Sequence, residues 1–145
     1  VGYTYLGTDG KEKEMIPIKN ETGKLDGFYD TGKPSRTMTF VRGDIDGEYK
    51  AYYYDGTLES HTKYEKGEYN GLDLEYLDDG KVKLKENMLF GDRHGLSEKF
   101  YPNGNIKQRT NYLNNEIHGE VTYYDENGKL TLTEYYTNGD IYESK

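Results

Sequence analysis

The stretch Tyr123-Tyr124-Asp125-Glu126-Asn127-Gly128-Lys129-Leu130 contains the pattern of one β-hairpin in eight residues. Two aromatic residues precede an Asn-Gly pair, and an aliphatic residue follows the glycine by two positions. Asn-Gly pairs are typical of tight hairpins because both residues accept a positive φ. The stretch therefore predicts two antiparallel strands that meet at Gly128.

The same pattern recurs with a period of 24 residues along the chain. A glycine marks the start of each unit, and a second glycine stands nine residues later. The starts are Gly23, Gly47, Gly71, Gly95 and Gly119, and the middle glycines are Gly32, Gly56, Gly80, Gly104 and Gly128. A fixed period of this length indicates an array built from one supersecondary unit.

Three columns of large apolar residues run through the units. The first aromatic column, five residues after each start, is Phe28, Tyr52, Tyr76, Phe100 and Tyr124. The aliphatic column, at offset eleven, is Leu58, Val82, Ile106 and Leu130, with Pro34 in the first unit. The second aromatic column, at offset seventeen, is Phe40, Tyr64, Met88, Tyr112 and Tyr136. Offsets eleven and seventeen share strand parity, so we expect the three columns to pack on one face of a sheet.

The connections between units also repeat. Twenty residues after each unit start stands a glycine, or Asn115 in the fourth unit, and an acidic residue always follows it, as in Gly43-Asp44. A hairpin, a turn and a further hairpin predict an all-β fold, an elongated single-layer antiparallel meander of stacked β-hairpins. Residues 1–22 are predicted to be a degenerate N-terminal capping repeat. Residues 23–145 are predicted to form five repeats that start at 23, 47, 71, 95 and 119.

This arrangement resembles MORN repeats, and more closely their bacterial variant, in which aromatic residues precede Asn/Asp-Gly-Lys-Leu and a Gly-acid pair follows. Weaker copies of the pattern are Tyr52–Leu58 and Phe100–Ile106, while His94-Gly95 and His118-Gly119 match the His-Gly pair of many MORN units. The resemblance covers residues 23–142. It implies a non-catalytic binding module, and proteins with this variant are often described as antitoxins that bind a partner toxin.

Composition excludes several classes of partner. The net charge is −8 and the isoelectric point is about 4.9, which disfavours nucleic acid and anionic lipid as ligands. No apolar run is long enough to span a membrane. The chain contains no cysteine and begins at Val1, so both a cytoplasmic location and export after removal of a leader remain open.

Residue patterns for catalysis or metal binding are weak. His94 and His118 occupy equivalent positions, but successive units advance by two strands, roughly 10 Å, so both rings cannot ligate one ion. The segment Asp44-Ile45-Asp46-Gly47-Glu48 lacks the ligand spacing of a calcium loop. Asp78-Asp79 lie side by side and cannot flank a substrate. We therefore predict no enzyme activity, no metal and no cofactor.

A surface rich in tyrosine and cationic residues is the remaining candidate for function, because tyrosine and arginine are common in interaction hot spots. Its residues are Tyr29, Tyr49, Tyr53, Tyr54, Tyr101, Tyr123, Lys83, Lys85, Lys107 and Arg109. The alternative is that these tyrosines only stiffen a one-layer sheet through cross-strand pairs.

The sequence thus predicts a protein-binding module, with an antitoxin-like role implied by the resemblance. Its open strand edges would also allow two chains to pair edge to edge. A competing prediction is a cell-wall or surface glycan-binding protein, because the pattern also resembles the aromatic repeats of choline- and glucan-binding proteins. Those repeats usually carry tryptophan, and this chain has none.

Overall fold

The computed structural model describes residues 2–3, 16–17 and 22–145, and within this part of the chain all regular structure is β-strand. A short antiparallel pair, β1 (Gly2–Tyr3) and β2 (Ile16–Pro17), forms a sheet of its own. Most of the predicted capping repeat, including Tyr5 and Asp9-Gly10, lies outside the described residues. The capping role and the repeat boundaries remain predictions.

The remaining strands form one open antiparallel sheet of 12 strands. They are β3 (Gly23–Phe28), β4 (Pro34–Val41), β5 (Asp44–Tyr52), β6 (Leu58–Glu65), β7 (Glu68–Tyr76), β8 (Val82–Leu89), β9 (Asp92–Arg93), β10 (Gly95–Phe100), β11 (Ile106–Leu113), β12 (Glu116–Tyr124), β13 (Leu130–Thr137) and β14 (Asp140–Ser144). Neighbours in the sheet follow chain order, except that β9 and β10 both pair with β8. The predicted all-β, single-layer meander is confirmed.

Tight two-residue turns lie between the units. Each contains two successive residues with positive φ, the pattern of a type I′ turn. These pairs are Arg42-Gly43, Lys66-Gly67, Phe90-Gly91, Asn114-Asn115 and Asn138-Gly139. The Asn-Gly and Asp-Gly pairs within the units sit in longer loops. In the equivalent loop of the first unit, the Gly32 N–H donates to the Tyr29 carbonyl at 2.9 Å, and Gly32 has a positive φ while Thr31 does not. The sequence predicted a tight two-residue hairpin at these pairs. The structure instead has a longer loop that is closed by a glycine with positive φ.

A β-bulge recurs in every unit just after the aliphatic column. Ala51 is opposite Ser60 but Tyr52 is opposite Leu58, so Glu59 is an extra residue in β6. The same register shift occurs in the other four hairpins. An extra residue reverses the alternation of side chains along its strand. The expectation that all three columns share one face is therefore wrong.

The two faces of the sheet carry different columns. Face A carries the second aromatic column (Phe40, Tyr64, Met88, Tyr112 and Tyr136), and face B carries the first aromatic column with the aliphatic column. The contacts between elements of the described chain run mainly between neighbouring strands. Phe40, Thr62, Ser97, Thr110 and Val121 of face A are nevertheless buried. Longer side chains on adjacent strands must therefore cover them.

Candidate functional site

A ladder of tyrosine hydroxyls links successive units. Each of these tyrosines follows the first aromatic column by one residue, and its hydroxyl donates to the carbonyl of the first-column residue in the next unit. The bonds are Tyr29 to Tyr52 at 2.5 Å, Tyr53 to Tyr76 at 2.7 Å and Tyr101 to Tyr124 at 2.8 Å. Three of the predicted surface tyrosines thus connect neighbouring repeats. Leu77 occupies the equivalent position in the third unit and has no hydroxyl to donate.

A shallow depression of about 420 Å³ lies on face A between the second and third units. It brings together the predicted residues Tyr49, Tyr53 and Lys83. The other lining residues are Ala51, Glu59, Ser60, Glu75 and Tyr76. The depression thus brings together three of the ten predicted surface residues.

An ion pair and burial change the pKa values of two side chains around this depression. Lys83 Nζ lies 2.8 Å from Glu75 Oε2, and this hydrogen bond raises the pKa of Lys83. Burial, followed by the negative charge of Glu59, raises the pKa of Tyr53. Tyr53 therefore keeps its hydroxyl proton, and with it the bond to Tyr76, to a higher pH than an unperturbed tyrosine would.

Three tyrosines pack against one another beside the depression. The ring centroids of Tyr49 and Tyr64 are 5.9 Å apart, and those of Tyr64 and Tyr69 are 4.6 Å apart. Such separations are typical of favourable aromatic pairs. Burial also raises the pKa of Tyr64. Tyr49, predicted as part of the binding surface, thus packs directly on Tyr64 of the second aromatic column.

Other predicted residues lie elsewhere on face A. Lys107 Nζ is 5.5 Å from the centre of the Tyr101 ring. Tyr123 and Tyr136 each donate a hydroxyl to Glu134 Oε2 at 2.9 Å. Burial, followed by the bond to Glu134, raises the pKa of Tyr123 to about 12.

Lys85 and Arg109 lie on face B. Arg109 Nε donates to Glu98 Oε1 at 3.0 Å, and Lys85 Nζ is 3.8 Å from Glu98 Oε2. Arg109 also borders a second depression, of about 370 Å³, together with Phe100, Gly104, Asn105, Ile106, Tyr124 and Gly128. The predicted set is therefore divided between the two faces, because the bulge places Lys83 on one face and Lys85 on the other.

Tyr54 lies in a hairpin loop. Its hydroxyl donates to Asp30 Oδ1 at 2.7 Å, and its ring centroid is 5.1 Å from that of Tyr29. The bond to Asp30 raises the pKa of Tyr54. Tyr54 therefore connects the hairpin loops of the first two units.

Sequence reasoning missed a polar pair in the middle of face A. Asp73 and Glu86 are directly opposite one another on β7 and β8. Thr62 Oγ1 donates to Asp73, and Ser97 Oγ donates to Glu86 at 3.0 Å. Burial raises the pKa of Asp73. Residue alternation corrected for the bulge would have placed both carboxylates on this face.

The candidate metal and catalytic residues take part in local structure. In the described ranges, no three His, Cys, Asp or Glu residues group as metal ligands. His94 Nδ1 is 3.3 Å from Asn114 Oδ1 of the next inter-unit turn. Asp44 and Asp46 lie in β5, and Asp79 accepts the N–H of Lys81. Across the residues described, no helix has the length and apolar character needed to cross a membrane.

Comparison with known proteins identifies the repeat. A family profile described as MORN repeat variant matches residues 45–66, 93–114 and 117–138. The matched segments end at Lys66, Asn114 and Asn138, the first residues of three inter-unit turns. No curated protein matches the chain. MORN repeats are non-catalytic and commonly serve as modules of protein or membrane interaction.

Proposed function

Because the chain belongs to the MORN-repeat family, in its variant form, we propose that it is a non-catalytic module that binds a partner protein through face A. The binding site in this proposal is the depression lined by Tyr49, Tyr53 and Lys83.

The proposal rests on tyrosine rings that are already held in fixed positions. Tyr53 is held by its bond to the next unit, and Tyr49 is packed against Tyr64. A ring that is already fixed loses little conformational entropy when a partner covers it, and tyrosine offers both apolar area and a polar group. No strand of the described residues packs across this depression.

We further propose that this contact neutralises the partner, as the resemblance to antitoxin-like proteins implies, and that the partner is a basic protein. The net charge of −8 would draw a cationic partner toward the sheet. Glu59 and Glu75 at the depression, against the single cation Lys83, add local negative charge.

Lys83 and Lys85 give a matched test of the face. Both lie on β8, but Lys83 contacts Glu75 on face A and Lys85 contacts Glu98 on face B. Tagged wild-type chain, Lys83→Glu and Lys85→Glu would be incubated with lysate of the source organism, and the bound proteins identified by mass spectrometry. We expect one stoichiometric protein, which Lys83→Glu should hold to a higher salt concentration than wild type because the change adds negative charge at the depression, whereas Lys85→Glu should release it as wild type does. Tighter retention by Lys85→Glu with no change for Lys83→Glu would contradict binding through face A.

Glycan binding is a second candidate, which the face B depression favours. Phe100 and Tyr124 line it beside Arg109, and aromatic rings with a neighbouring polar group suit a sugar ring. The same variants would be applied to a cell-wall fraction. Retention there, release by free sugar and no protein partner would replace the first proposal with this one.

A further inference from the structure

Phe90 is the aromatic residue among the first positions of the five inter-unit turns, which are otherwise Arg42, Lys66, Asn114 and Asn138. Phe90 has φ of 49°, a conformation that glycine and asparagine adopt with least strain. Asn114 and Asn138 occupy the equivalent position in the next two units. Phe90 is 66% exposed, so packing does little to offset the strain of its backbone. A strained and exposed aromatic residue is a candidate for function, because local rules are broken mainly where binding benefits.

Two further apolar side chains lie at the same ends of the strands, next to the inter-unit turns. Leu89 is 39% exposed and Leu113 is 42% exposed. Their turns are adjacent, since the Asn115 N–H donates to the Arg93 carbonyl at 3.0 Å and the Arg93 N–H donates to Asn115 Oδ1 at 2.9 Å. We call Leu89, Phe90 and Leu113 the turn-edge patch.

Acidic residues flank the turn-edge patch. Glu68, Asp92 and Glu116 hold the same position in three successive inter-unit turns. The nearest cation in sequence, Arg93, is directed toward Tyr112, with its guanidinium carbon 4.5 Å from the ring centre and its Nη1 donating to the hydroxyl at 3.2 Å. Lys66 lies in the same turn as Glu68 and offsets its charge, so the negative charge beside the patch comes mainly from Asp92 and Glu116.

We propose that the turn-edge patch binds a basic amphipathic helix of a partner protein, with Phe90 as the anchor. Successive turns are two strands apart, roughly 9.6 Å, and helix residues seven apart are separated by roughly 10.5 Å. Apolar helix residues at i and i+7 can therefore meet Phe90 and Leu113 together. Lysines beside them would lie near the acidic residues of the turns. This contact is made by the inter-unit turns at the strand ends and goes beyond the proposed binding on face A.

Phe90→Asn separates binding from stability, because it removes the anchor while relieving the turn. Lys66→Asn is the matched control, since Lys66 has φ of 51° in the equivalent turn but lies outside the patch. The probe is a helical peptide of roughly 14 residues, with leucines on one face and lysines on the other. Binding is measured by fluorescence anisotropy, and unfolding by circular dichroism.

We expect both variants to raise the unfolding midpoint by about 3 °C. Phe90→Asn should weaken peptide binding by about tenfold or more, whereas Lys66→Asn should retain wild-type affinity. Affinity should also fall as salt rises from about 0.05 M to about 0.5 M. Equal affinity of Phe90→Asn and wild type, or no peptide binding by wild type, would overturn the proposal. Lys83→Glu should bind the peptide as wild type does, so failure of the face A proposal would leave this result unchanged.

Discussion

Two carboxylates face each other in the middle of face A. Asp73 and Glu86 are cross-strand partners, and each accepts a hydroxyl from a neighbouring strand. Like charges directly opposite one another in a sheet are destabilising. Burial raises the pKa of Asp73, so its charged form is disfavoured in the folded state.

Asp73→Asn should therefore stabilise the protein at neutral pH. Because the folded pKa lies above the unfolded one, the folded state binds more protons, and wild-type stability falls as pH rises through the folded pKa. Asparagine removes the charge and still accepts a bond from Thr62. We expect an unfolding midpoint a few degrees above wild type at pH 7, with the gap closing as the pH is lowered toward 4.

Thermal unfolding followed by circular dichroism across this pH range measures the effect. Glu120→Gln, at an exposed carboxylate, is the control and should show no comparable gap. An Asp73→Asn midpoint equal to or below wild type at pH 7 would mean that the ionised carboxylate stabilises the sheet.

This pair shows which residue positions the sequence could not place. Repetition alone gives the columns, but the face of each residue depends on an extra residue such as Glu59, which no local signal marks. The same holds for the turns. Asn-Gly pairs are the strongest hairpin signal, yet positive φ at two successive positions falls on Arg42 and Phe90 with their glycines. Tertiary register overrides local preference at these positions.

The tyrosine ladder joins hairpins that otherwise interact only through neighbouring strands. Tyr29, Tyr53 and Tyr101 each donate to a carbonyl 23 residues further along the chain. The third unit lacks such a bond because Leu77 stands at this position. The sequence predicted these rings as surface residues and left the stiffening role open. Their hydroxyls bond to the next unit, whereas stiffening of the sheet and partner binding by the rings both remain proposals.

Leu77→Tyr should supply the missing bond, with the Phe100 carbonyl as the expected acceptor. A net gain of about 1 kcal/mol is typical of one intramolecular hydrogen bond. Urea unfolding measures the change, and Leu77→Phe is the control because it adds a ring without a hydroxyl. If both variants changed stability equally, the hydroxyl would contribute nothing and the ladder would be a packing effect alone.

An open sheet of this kind has no core that all units share. The path from β3 to β14 crosses eleven strands, about 50 Å at roughly 4.8 Å per strand. Buried residues such as Phe40 and Val121 are separated by several units. The period of the sequence was sufficient to predict this architecture, because each unit needs only its neighbours. Stability should accordingly be local, as in other repeat arrays.

Val121→Ala tests whether stability is local. Val121 is 1% exposed at the centre of β12, and loss of its two methyl groups should cost about 2 kcal/mol. We expect faster amide hydrogen exchange in β11, β12 and β13 and unchanged exchange in β4, β5 and β6. Val41→Ala, at a side chain that is 41% exposed, should leave exchange unchanged throughout. Uniform loss of protection along the sheet would mean that the hairpins unfold together, and that coupling through hydrogen bonds such as the tyrosine ladder extends beyond nearest neighbours.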